Sequence, residues 1–200
     1  MNKPWLKSYD SGMPPNLSYP ACSLSSLLHE SAKEFSERVA ILFFGHKITY
    51  RELASRVNSF TSALIRLGVQ PGERVALLLP NSPQFVIAYY GAIQAGAIVV
   101  PINPLYVARE ISHILSDSGA TIMVCLEEVS ETIFSLLPET QVKTLIFTQF
   151  KEYLPFFKGL TYTLLKQKRG EKTDSASAHT VKTYSLKELI STTAAPPPRF

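Results

Sequence analysis

The chain has 200 residues, room for one or two domains with a real core, and its 46% hydrophobic and 18% charged content is that of a globular protein. The net charge of +4 is unevenly placed: residues 1–142 hold 10 Lys and Arg against 12 Asp and Glu, whereas residues 143–200 hold 10 against 4. Cys22 and Cys125 stand alone, which argues against a disulfide framework or a cysteine zinc site and fits a reducing, cytoplasmic setting.

Residues 1–20 mix Pro, Ser, aromatics and charges without a period. No apolar core of a signal peptide is visible there, and residues 1–22 read as an extended arm with Trp5, Leu6 and Tyr9 lying against other parts of the chain. Leu24, Leu27, Leu28, Ala32 and Phe35 then recur on one helical face, with His29 beside Lys33 on the solvent side. Residues 40–44 and 47–49 are strand-like runs around Gly45-His46, where glycine's tolerance of positive φ suits a type II′ hairpin turn. Thr49 and Glu52 have the spacing of a capping box: the hydroxyl accepts from a first-turn amide while the carboxylate reaches back to the cap residue's amide. The helix they start buries Leu53, Val57, Phe60, Leu64 and Leu67, Gly68 ends it, and Pro71-Gly72 suits a type II turn.

Residues 72–106 organise the chain as strand, helix, strand. The apolar run at 74–79 suits a strand covered on both faces, and Pro80 stops it. Ser82 caps a helix that begins with Pro83; Phe85, Ala88, Tyr89, Ala92 and Ile93 keep helical spacing, and Gly96 falls where a left-handed C-terminal cap is needed. Residues 97–100 switch to a β-branched run closed by Pro101. Residues 85–102 are apolar except for Gln94, yet Gly96, Pro101 and the change of period make them helix plus strand rather than a membrane span.

Beyond Tyr106, Ile111, Ile114 and Leu115 mark a helix ended by Gly119, and residues 121–126 read as a strand. Val129, Ile133, Leu136 and Leu137 mark a helix stopped by Pro138, with Glu127, Glu128 and Glu131 near the positive end of its dipole; residues 143–148 are another strand. The order βαβαβαβ predicts an α/β fold: a mainly parallel sheet with helices on both faces. Residues 23–150 form this unit. Residues 151–170 are an amphipathic basic segment, in which Phe156, Phe157, Leu160 and Leu164 share one face while Lys158, Lys166, Lys168 and Arg169 supply positive charge, the composition of a helix in contact with a membrane surface. A surface helix packed on its own protein is the other reading. Residues 171–200 are a linker: 171–183 is a polar excursion, Ser185 and Glu188 repeat the capping-box spacing before a short helix, and Pro196-Pro197-Pro198 is a stiff spacer.

Two stretches carry a family resemblance. Gln94-Ala95-Gly96-Ala97-Ile98-Val99-Val100-Pro101-Ile102-Asn103-Pro104 resembles the AGxxxVPxNP motif of the AMP-forming acyl-adenylating enzymes, and Ile48-Thr49-Tyr50-Arg51-Glu52-Leu53 their earlier (L/I)TYxEL motif. Within that superfamily the run at 79–120 is most similar to bacterial long-chain fatty acid–CoA ligases. The resemblance implies the N-terminal subdomain of that fold, and a complete enzyme that uses ATP, Mg2+ and CoA to activate a long-chain fatty acid through an acyl-adenylate. It also leaves open a homodimer through the N-terminal arm and a peripheral position on the inner face of the membrane.

Chemistry is looked for and not found. The family's phosphate loop, of the form (S/T)GTTGxPKG, has no match, nor do GxxxxGK[ST] and GxGxxG, so no catalytic, cofactor-binding or metal residue is assigned. His46 falls in a turn, His113 shares a face with Arg109, Glu110 and Asp117, and His179 lies in the polar linker. The dispersed lysines of the last quarter accompany no nucleic-acid recognition fold. The expectation is therefore a ligase portion that is inactive by itself. The alternative is a self-standing α/β binding or dimerisation module without the chemistry, and a peripheral membrane adaptor is a third reading.

Overall fold

The computed structural model describes residues 3–154 and 181–191. The apolar run after Gly72 forms β3 (Arg74–Leu78), flanked by β4 (Ile98–Pro101) and β5 (Ile122–Leu126). β6 (Thr144–Thr148) and β7 (Lys182–Ser185) extend the sheet in the order β4-β3-β5-β6-β7, every pairing parallel. Successive side chains of a strand point to opposite faces, and the core divides accordingly. Val75 and Leu77 pack with Ile122, Val124 and Ile146 on one face, whereas Ala76 and Leu78 pack with Met123, Cys125 and Leu145 on the other.

The first face is covered by α2 (Tyr50–Arg66), α3 (Pro83–Gln94), α1 (Leu24–Glu34) and α6 (Leu186–Ser191); the second by α4 (Ala108–Ser118) and α5 (Ser130–Leu136). The step from β3 to β4 runs through the first face, and the opposite steps from β4 to β5 and from β5 to β6 run through the second. A single crossover hand requires that exchange of faces. Local signals start and stop these helices as expected. Thr49 and Glu52 make both bonds of the capping box, at 3.2 and 2.9 Å, and Ser82 Oγ accepts from the Phe85 amide. Gly96 has φ +78°, and the amides of Gly96 and Ala97 donate to the carbonyls of Ile93 and Ala92, a Schellman closure of α3.

Five expectations change. The hairpin of β1 (Val39–Phe43) and β2 (His46–Thr49) turns on Phe44 and Gly45, not on Gly45-His46; φ is +50° and +91° at the two positions, the type I′ pattern, because Phe43 pairs with His46 and leaves only those two residues between the strands. His46 therefore belongs to β2. Only Leu28 of the α1 stripe is buried, since α1 meets the other helices there, while Leu24 and Leu27 stay exposed. Trp5 and Tyr9 are exposed on a 3-10 turn that buries no residue. Pro138 does not end the winding at once: α5 stops at Leu136 and Pro138 sits at the start of a further 3-10 turn, Leu137–Glu139, where its missing amide hydrogen is not needed. Finally, the polar excursion ends early: Lys182 and Thr183 form part of β7, held by backbone pairing to Thr144 and Leu145 rather than by burial.

Candidate functional site

Ligands of open α/β sheets bind at the carboxyl ends of the strands, where the strand order reverses. Here that point lies between β3, whose chain leads to β4 on one side, and β5 on its other side. Three exits are tied together there. Gln84, in the first turn of α3 and fully buried, donates from Nε2 to the Gln149 carbonyl at 3.0 Å, just past β6. The Gln149 side-chain amide in turn donates to the carboxylate of Glu127, just past β5. Gln84 Oε1 is buried and has no hydrogen-bond partner among the described residues.

A pocket of about 430 Å³ opens beside this chain over the ends of β6 and β7, lined by Glu127, Thr148, Gln149, Glu152, Lys187 and Glu188 among others. Glu152 accepts from Thr148 Oγ1 at 3.0 Å and from the Gln149 amide at 3.2 Å. Burial pushes its carboxyl above the usual glutamate range; those two bonds and Lys187 oppose the shift, and Glu127 adds to it. Next to it, Tyr153 takes the Arg56 guanidinium over its ring at 5.4 Å and the His46 ring edge-on at 5.7 Å. Burial raises the Tyr153 hydroxyl, and Arg56 opposes that shift.

On the first face, two adjoining cavities of about 650 and 740 Å³ run along the α1–α2 groove and share His29, Lys33, Ala54 and Asn58. Asn58 Oδ1 accepts from Gln94 Nε2 at 2.9 Å, which ties α2 to α3 under the groove, and Arg51 at its rim pairs with Glu37 at 2.8 Å.

The contacts named here tie strand exits and helices together, and none of them sets a nucleophile against a base. Among the described residues no group of three or more His, Cys, Asp or Glu is placed to hold a metal ion. Among the described residues, Glu127, Glu152 and Glu188 line this pocket at the sheet's carboxyl edge together with Lys187. Phe156, Phe157, Lys158, Leu160, Leu164, Lys166, Lys168 and Arg169 lie outside the described residues, as does His179, and His113 is exposed on α4. The Gln84–Gln149–Glu127 chain has no local signal, because its first two members are 65 residues apart.

A profile of the AMP-binding enzyme family matches residues 28–187, most of the chain. The chain belongs to the AMP-binding enzyme family. Among relatives of this AMP-binding chain, the long-chain-fatty-acid–CoA ligase of Bacillus subtilis (strain 168) is 36% identical over 167 residues, 84% of this chain and 30% of the relative. The ligase of the same name from Yersinia pestis is 37% identical over 161 residues, 80% of this chain and 29% of the relative. The chain thus spans about 30% of the length of the curated relatives it matches. A long-chain-fatty-acid–CoA ligase structure from Archaeoglobus fulgidus superposes with a TM-score of 0.70 at 26% identity, covering 96% of this chain and 34% of that one. A benzoate CoA ligase from Burkholderia xenovorans LB400 shares the fold at a TM-score of 0.66 and 22% identity, covering 88% of this chain and 29% of its own.

Both motifs of the AMP-binding chain acquire a structural reason. Thr49 and Glu52 start α2, and the AGxxxVPxNP run builds the Schellman turn, β4 and an Asx-type turn in which Asn103 Oδ1 accepts from the Leu105 amide at 3.0 Å. Within the described residues, all the named contacts of these motifs are architectural.

Proposed function

We propose that this chain is the N-terminal part of a long-chain fatty acid–CoA ligase and supplies its scaffold rather than its chemistry. The observation that carries this is the family match over residues 28–187 together with 36% identity to a ligase more than three times the length of the matched region. The complete enzyme would take a long-chain fatty acid, ATP, Mg2+ and CoA, form an acyl-adenylate with loss of pyrophosphate, and pass the acyl group to the CoA thiol. Because the sequence carries no phosphate-loop motif, no step of that reaction is assigned to residues of this chain. Their work is to hold the sheet: the Gln84–Gln149–Glu127 chain fixes the exits of β3, β6 and β5 relative to one another. The segment 151–170 we read as lipid-facing through Phe156, Phe157, Leu160 and Leu164, which suits an enzyme whose substrate resides in membranes.

A chimera tests the assignment. Residues 28–187 would replace the aligned region of the Bacillus subtilis ligase, with acyl-CoA formation from palmitate, ATP and CoA as the readout. Retained acyl-CoA synthesis is the expected result. A folded chimera that forms no acyl-adenylate would overturn the assignment.

A further inference from the structure

The β1–β2 hairpin concentrates features that are unfavourable in water at one end. Phe44 is a bulky residue with φ +50° at a turn position where Asn, Asp or Gly is ordinarily found, and its ring is 54% exposed. Leu42, on the outward face of β1, is 67% exposed, and Val39 lower on the same strand is 46% exposed. Backbone strain and apolar exposure coincide at Phe44, although an Asn there would relieve both. An outlier of this kind points to a use for the side chain outside the fold.

The tip is packed against its neighbours. Phe43 meets Phe44 edge-on with ring centres 4.8 Å apart, and Phe150 closes on both rings at 5.4 and 6.2 Å. Lys47 faces Leu42 across the ladder and is exposed, Lys151 follows Phe150 and is exposed, and residues 39–49 contain no Asp or Glu. An apolar tip flanked by Lys47 and Lys151, with no acidic residue in the hairpin, is complementary to the head groups and acyl boundary of an anionic bilayer.

We propose that Leu42 and Phe44 at the hairpin tip insert into an anionic lipid surface, with Lys47 and Lys151 at the head-group level. This deepens the reading of 151–170 as lipid-facing and rests on it for lipid as the occupant. It adds an anchor more than 100 residues away in sequence, brought beside the start of that segment by the Phe43–Phe44–Phe150 cluster.

The test is co-sedimentation of the purified 200-residue chain with phosphatidylcholine vesicles, with and without phosphatidylglycerol. Phe44→Asn suits the left-handed turn, so it and the Leu42→Ser/Phe44→Asn pair should keep the fold, as checked by circular dichroism. The chain should partition to the phosphatidylglycerol vesicles, and the pair should weaken that partition by about a hundredfold or more, the loss of two buried apolar side chains. Unchanged partition in the pair overturns the hairpin proposal; if Phe156→Ala/Phe157→Ala abolishes binding at the same time, the reading of 151–170 survives alone. No partition by the unaltered chain overturns both. If the pair instead alters only self-association in sedimentation velocity, the tip is a contact between copies, and the lipid assignment is wrong.

Discussion

A β-carbon on Gly91 would stand 2.7 Å from Cδ1 of Phe60. Phe60 is fully buried on α2, and α3 comes against it because Gly91 leaves its own surface bare. The approach is reinforced at Thr61, whose hydroxyl lies 2.9 Å from the Val57 carbonyl of its own helix and 3.1 Å from the Gly91 carbonyl of the other. Overpacking a core position costs about 1–3 kcal/mol, while replacing a helical Gly by Ala returns about 1 kcal/mol of propensity. Gly91→Ala should therefore be destabilising by up to about 2 kcal/mol in urea denaturation, and Phe60→Leu should recover part of that loss in a double-mutant cycle. Additive effects would mean the helices do not meet at this pair.

At Gly96 the backbone rather than the packing dominates. Its φ of +78° is one that side chains resist, and a β-carbon would also come within 3.1 Å of Pro71 Cβ and 3.2 Å of Pro71 Cα. Gly96→Ala should lower stability by about 1–2 kcal/mol, whereas the same change at Gly45, φ +91° with open space around it, should cost less. Thermal melts of the two variants compare strain with and without a clash; equal losses would count against the Pro71 contact.

The α2 capping box should titrate. Bonding to the Thr49 amide holds the Glu52 carboxyl below the usual glutamate range; burial opposes this as the next-largest cause, and the Thr49 hydroxyl and the charges of Arg56 and His46 lower it further. A carboxyl lowered in the folded state stabilises above its unfolded pKa and loses that contribution as pH falls through the folded value. The stability advantage over Glu52→Gln should thus shrink on the acid side of 4.5, and Thr49→Ala should cost about 1 kcal/mol at neutral pH. A difference that stays constant with pH would show the carboxylate is not the acceptor.

Glu152 should behave in the opposite sense. Its carboxyl is raised by burial, so the fold favours the protonated form; the contribution is present below the unfolded pKa and is lost as pH rises through the folded one. Relative to Glu152→Gln, which carries no charge, the chain should lose stability as pH rises above 4.5, the ordinary glutamate value. A rising difference above that value would mean the bonds from Thr148 and Gln149 outweigh burial.

What the sequence disclosed and what it hid differ by range of interaction. Thr49 with Glu52, Ser82 with Pro83, and Gly96 act within one turn, so their spacing alone placed the ends of α2 and α3. The apolar runs at β3, β5 and β6 were legible because both faces are covered. β7 was not: Lys182 and Thr183 are exposed, and only pairing with β6 makes them a strand. The Phe44 turn misled because an aromatic residue seldom takes positive φ. Glu127 reads in the sequence only as an acidic residue at a helix start, and Gln84, Gln149 and Glu152 carry no signal there, since their meeting depends on three strand exits converging. The absence of a phosphate-loop motif is legible in the sequence itself.

The central claim is that this chain is scaffold whose adenylating chemistry lies in other residues of the complete ligase. ATP–pyrophosphate exchange with the purified 200-residue chain, palmitate and Mg2+ tests it directly. The account predicts exchange at the level of a protein-free control. Exchange above that level, dependent on palmitate, would contradict it.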